Sequence, residues 1–160
     1  MIRQCSQRDL GTLFSIINDA ARAYKGIIPG DRWKEPYMPL QELGEEIGDG
    51  VVFWGEEEKG DLTGVMGIQD RGCVTLIRHA YVRTREQGRG VGRRLLAHLE
   101  TLTGTPLLVG TWSDALWAVR FYVRNGYRIT SRAETEQLLR TYWKIPDRQV
   151  ETSVVLRKDR

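Results

Sequence analysis

Apolar positions along the chain change their spacing several times, and each change marks an element. Ile2 to Cys5 alternates as a short strand. Leu10, Leu13, Phe14, Ile17 and Ala21 recur at helical spacing and predict an amphipathic helix running from a cap at Asp9 to about Tyr24. Gly26 to Pro39 reads as a loop carrying Trp33, Tyr37 and Met38. Leu40 to Ile47 reads as a short helix that Gly48 and Gly50 end. Three strands are expected next, Val51 to Trp54, Leu62 to Ile68 and Val74 to Val82, with the acidic run Glu56 to Asp61 and the stretch Gln69 to Gly72 as turns. From about Gly90 the spacing is helical again. Val91, Leu95, Leu99 and Leu102 form a stripe that Leu96 widens. Pro106 to Thr111 has the continuous apolar character of a buried strand. A second helix follows, with Ala115, Ala118, Val119, Tyr122 and Val123 on one face and Asn125-Gly126 at its end. Tyr127 to Thr130 and Thr152 to Arg157 are the last strands. Between them the pattern is weak, and only Glu134 to Trp143 suggests a helix.

This order, an antiparallel meander followed by strand–helix–strand–helix–strand, predicts an α/β (α+β) fold with a mixed, mostly antiparallel sheet covered by helices. Length and composition add little beyond this. The chain has 160 residues, 41% of them hydrophobic and 28% charged, which suits one domain over residues 1–160. With no membrane-length apolar run and no signal-type start, the cytoplasm is the expected location. Cys5 and Cys73 have no metal-ligand or disulfide spacing and are expected to be buried free thiols in strand surroundings. The histidines, His79 and His98, do not form a His-Glu-x-x-His pattern, so no metal site is expected.

Net charge is only +3, which does not argue for a nucleic-acid partner, and no basic helix is evident. Arg78, Arg83, Arg85, Arg89, Arg93 and Arg94 nevertheless crowd together with Glu86 as the one acid among them. Such a cluster suits either a polyanionic ligand or a solvated face. The same region holds the most informative motif. A strand ending at Val82 runs into Gln87-Gly88-Arg89-Gly90-Val91-Gly92, and a helix opens there. Glycines let the backbone approach a ligand closely, and exposed amides at a helix start favour an anion such as a pyrophosphate. Arg89 and Arg93 would add charge-assisted hydrogen bonds. The glycine spacing fits neither a dinucleotide fingerprint nor a Walker loop.

The run Gln87 to Gly92 resembles the Arg/Gln-x-x-Gly-x-Gly/Ala hallmark of the GNAT superfamily of acyl-CoA-dependent N-acetyltransferases. So does Phe121-Tyr122-Val123-Arg124-Asn125-Gly126-Tyr127, which matches that family's later aromatic-Tyr…Gly-aromatic hallmark. The resemblance is strongest from Val74 to Tyr127. One departure is Ala115, at a position where the family often has Asn. The resemblance implies the acyl-CoA N-acyltransferase fold, a sheet splayed in the middle, with acetyl-CoA in the opening. Ala80, Tyr81 and Val82 would pair with its pantetheine arm, and Gln87, Gly88, Arg89, Gly90, Val91, Gly92 and Arg93 would hold the pyrophosphate.

It also implies Tyr122 as the general acid toward the departing thiolate, although a Tyr on this apolar face is equally a core aromatic. The base is less defined. The family position for it on the last strand of the meander is Leu76, which accepts no proton. His79 has a suitable side chain, but strict alternation sets it on the other face from Leu76, Arg78 and Ala80. Asp31 and Glu35, acting through a water, are the other candidates, and an amine that arrives neutral needs no dedicated base. By analogy Tyr24, Trp33 and Tyr37 wall an acceptor pocket where Asp31 and Glu35 attract the cationic amine, with Tyr142 and Trp143 closing its C-terminal side. The expected partner is a small-molecule amine or amino acid, with no nucleic acid and no membrane, and homodimerisation is left open. A protein amine is an alternative acceptor, and a non-catalytic acyl-CoA sensor is an alternative role.

Overall fold

The computed structural model describes residues 1–160. Its strands are β1 (Ile2–Gln4), β2 (Val52–Glu58), β3 (Asp61–Asp70), β4 (Thr75–Val82), β5 (Leu107–Trp112), β6 (Arg128–Ile129) and β7 (Ser153–Lys158). They form one seven-stranded sheet in the order β1-β2-β3-β4-β5-β7-β6. Every neighbouring pair is antiparallel except β4 and β5, which run parallel. The expected mixed, mostly antiparallel sheet is therefore present, with helices on both faces.

Alternation within the strands sorts the helices. Ile77 and Val109 point to α3 (Val91–Glu100) and α4 (Leu116–Arg124), where Leu95, Leu96, Leu99 and Tyr122 complete a core. Leu76 and Leu108 point the opposite way, to α5 (Arg132–Tyr142) and α6 (Asp147–Glu151). On that same face α1 (Leu10–Ala21) and α2 (Leu40–Gly48) cover Phe53 and Val65 with Leu13, Ile16, Ile17 and Leu43. No helix is long and apolar enough to cross a membrane.

Several local expectations are corrected. The first helix begins at Leu10. Asp9 instead closes a preceding 3-10 turn, where its carboxylate accepts from the Ser6 amide at 2.7 Å and pairs with Arg3 at 3.0 Å. Glu56 to Glu58 belong to β2 rather than to a turn, because the chain reverses tightly at Lys59-Gly60, both at positive φ (53° and 85°). Glu56 is only 8% exposed, and its carboxylate is satisfied by Arg94, whose Nε and Nη2 donate at 2.6 and 2.8 Å. Leu102 lies past the end of α3 and is exposed. Cys5 is half-buried and Cys73 exposed, and neither sits in a strand.

The feature that makes room for a site is the failure of β4 and β5 to stay paired. Only Thr75, Leu76 and Ile77 pair with Leu107, Leu108 and Val109, and the strands part beyond that. On its other side β4 carries a bulge. Tyr81 pairs with Val65 and Arg78 with Gly67, so His79 and Ala80 together oppose Met66. His79 takes up the extra residue in the left-handed region, at φ 53°.

Candidate active site

Two cavities meet at the splayed strands. The larger, about 810 Å³, opens toward α1, α3 and α4. The smaller, about 360 Å³, lies under α2 and the segment joining α5 to α6. Tyr24, Ala80, Tyr81, Ala118 and Tyr122 line both, so a molecule entering from either side reaches the same central residues.

The glycine turn borders the larger cavity. Gln87, Gly88, Gly90, Val91, Gly92 and Arg93 line it together with Ala80, Tyr81 and Val82. The backbone amides of Gly88 through Arg93 donate to no backbone or side-chain acceptor, and the first amide of α3 with an acceptor is Arg94, bonded to Gly90 at 3.0 Å. This is a run of free donors at the positive end of a helix. The turn keeps its shape partly because Arg94 Nη1 donates to the Arg89 carbonyl at 2.9 Å. Gly90 sits at φ +81°, where a Cβ would come within 2.8 Å of Arg94 Nη1. Arg89 departs from expectation. Its guanidinium turns away to Glu86 and Glu58, and it does not line the cavity. Arg93 is the arginine of the motif that does. The turn and its amides therefore fit a diphosphate, and the unpaired inner edges of β4 and β5 fit an extended amide-bearing arm.

Tyr122 projects from α4 into the junction. It is 4% exposed, with its ring edge-on to Phe121 and Tyr127 at centroid distances of 5.0 and 5.6 Å. Its hydroxyl has no hydrogen-bond partner in the protein, yet it is not among the sealed unpartnered polar atoms, so it opens to the cavity wall. Burial, reinforced by nearby Tyr24, raises its pKa well above the ordinary phenol value. The group is a neutral phenol at physiological pH.

The bulge overturns the alternation expected of β4. His79 shares a face with Arg78 and Tyr81, not with Ile77. It stacks on Phe53 at 6.0 Å and borders the smaller cavity. Its Nε2 lies 2.8 Å from Glu46 Oε2 on α2, while Arg78 Nη2 donates to Glu46 Oε1 at 2.6 Å. Glu46 was not singled out in the sequence. The one available signal is its place three residues after the buried Leu43, on the inward stripe of α2.

The aromatic loop divides. Tyr24 and Tyr37 line the smaller cavity, and the Tyr37 hydroxyl accepts from Trp112 Nε1 at 2.8 Å. Trp33 stacks behind Tyr37 at 5.9 Å without reaching the cavity. Asp31 and Glu35 are not in the site. Asp31 pairs with Arg148 at 3.3 Å and Glu35 with Lys25 at 3.5 Å, both at the exposed surface. Trp143 reaches the cavity, whereas Tyr142 turns aside under Arg71.

A model of the Acetyltransferase (GNAT) domain matches residues 17–140, and the chain belongs to that family. Similar solved structures include PaiA N-acetyltransferase from Thermoplasma acidophilum in complex with coenzyme A (TM-score 0.74, 18% identity, covering 100% of this chain and 98% of that one). Ribosomal-protein-alanine N-acetyltransferase from Brucella melitensis is another (TM-score 0.68, 19% identity, covering 100% and 99%). Salmonella typhimurium yncA with its cofactor acetyl-CoA is a third (TM-score 0.65, 19% identity, covering 99% and 92%). No curated protein matches by sequence. Enzymes of this family take their acyl group from acetyl-CoA.

Proposed function

We propose that this protein, as one catalytic domain, transfers an acetyl group from acetyl-CoA to the primary amine of a small molecule by direct attack while both are bound. The observation that carries this reading is the run of unaccepted amides from Gly88 to Arg93, set on a cavity that joins a second one at Tyr122. Acetyl-CoA supplies an acyl group activated as a thioester. The amides of the turn and Arg93 hold its diphosphate, and the free edge of β4 at Ala80 to Val82 lies along its arm. Tyr122 keeps its proton at neutral pH and gives it to the departing sulfur. His79 takes a proton from the amine on the acceptor side. With Nε2 held against Glu46, Nδ1 is the ring nitrogen left for that role.

A protein amine is the second reading, since one structurally similar enzyme bears the name of a ribosomal-protein-alanine N-acetyltransferase. The small ligand is favoured because the loop over the smaller cavity is fastened to α6. Arg32 donates to Gln149 at 3.3 Å, and Asp31 pairs with Arg148.

The test has two parts. Acetyl-CoA binding is titrated directly, and release of the CoA thiol is followed across an amine panel. Tyr122→Phe is expected to lower turnover by about 100-fold, the scale of a lost positioned acid, with acetyl-CoA affinity nearly unchanged. Unaltered turnover in that variant removes Tyr122 from the chemistry, and failure to bind acetyl-CoA ends the whole reading.

A further inference from the structure

Resting on that reading, we propose that the acceptor amine also carries a carboxylate, and that Arg32 is the residue that receives it. The smaller cavity is cationic on balance. Arg32, Lys34, Arg78 and Lys144 line it against the carboxylates of Glu42 and Glu46. Most of these cations are already matched. Arg78 is bound to Glu46 at 2.6 Å, Lys34 to Glu42 at 3.1 Å, and Lys144 faces Asp49 at 3.9 Å.

Arg32 has no such partner. No carboxylate lies in ion-pair range of it, its Nη2 meets only the neutral side chain of Gln149, and its Nε is buried with no acceptor at all. Its neighbour in sequence, Asp31, is turned outward to Arg148. A guanidinium held half-buried with idle donors is costly to keep, and its Nη1, unbonded and not sealed, can receive a planar carboxylate together with Nη2. A plain cationic amine would be repelled by this residue, whereas an amino acid brings the complementary charge. About 360 Å³ is room for a molecule of that size. A protein N-terminus has no carboxylate beside its amine and gains nothing from Arg32, except where the following side chain is acidic.

The experiment titrates the CoA-bound protein calorimetrically with free amino acids and their matched amides. It compares the native chain, Arg32→Gln and Arg32→Lys, and follows thiol release from acetyl-CoA in parallel. At least one amino acid is expected to bind about 10-fold or more tightly than its amide, as charge-assisted pairing predicts. Arg32→Gln should abolish the preference and Arg32→Lys should keep part of it, both with unaltered affinity for acetyl-CoA. The proposal is overturned if no amino acid outbinds its amide, or if the preference survives Arg32→Gln. Thiol release with amides and amino acids alike would leave acetyl transfer standing without the carboxylate site. A carboxylate preference without thiol release would keep the site and remove the transfer.

Discussion

Glu46 meets two basic side chains with one carboxylate, with Arg78 on one oxygen and the ring of His79 on the other. Burial pushes this carboxyl up, but its contacts with His79 and Arg78 outweigh that, and the group sits below its ordinary 4.5. A carboxyl depressed in the folded state adds stability above its ordinary pKa, and that stability is lost as pH falls toward the folded value. Glu46→Gln is therefore expected to lower the melting temperature by about 3 °C at neutral pH, equivalent to about 1 kcal/mol, and to match the native chain once the pH lies below the folded pKa of Glu46. Scanning calorimetry at the two pH values decides it. A gap that persists in acid would mean that the amide fails on packing rather than on charge.

At the scale of elements, the start of α3 shows how local geometry makes a binding surface. Gly90 has both a left-handed φ and an arginine against its missing side chain, so Gly90→Val unseats the Arg94 latch on the Arg89 carbonyl. Acetyl-CoA affinity should fall about 10-fold or more, from roughly 1–2 kcal/mol of backbone strain relieved only by distorting the turn. Titration calorimetry measures it, and an unchanged dissociation constant would separate this turn from the diphosphate. The motif was legible in the sequence because it is contiguous: glycines, a strand before it and an apolar stripe after it all sit within one short stretch. The bulge was not, since an inserted residue leaves no compositional trace and reverses the inferred facing of His79. Glu46 was hidden for a related reason. Pattern reading puts apolar residues inward, yet α2 exposes Ile47 and turns Glu46 in, to meet partners 32 and 33 positions away on β4. Asp31 and Glu35 failed in the opposite direction, because nothing local announces that a surface arginine or lysine will claim an acid.

The whole molecule gathers Tyr24, Tyr37, Tyr81 and Tyr122 around the splay, and Tyr127 backs Tyr122. Tyr24, Tyr37, Tyr81, Tyr122 and Tyr127 all have hydroxyls raised above the ordinary 10.0, with burial the first cause in each. A raised folded value contributes stability below the unfolded pKa and loses it as pH climbs beyond, because the unfolded chain releases those protons first. Tyrosinate absorbance from these five should thus stay silent at about pH 10 and appear only together with loss of far-ultraviolet ellipticity. Reversible titration with the ellipticity intact would mean that the centre is open to hydroxide. The same centre is where the sheet is thinnest, with three rungs joining β4 to β5. Besides those rungs, the N-terminal and C-terminal half-sheets are tied by Tyr24 stacked on Trp117 at 5.9 Å and by the Trp112–Tyr37 hydrogen bond. Whatever lodges in the gap touches both halves and acts as a keystone. Resistance to heat and to proteases is thereby coupled to how much acyl donor surrounds the protein.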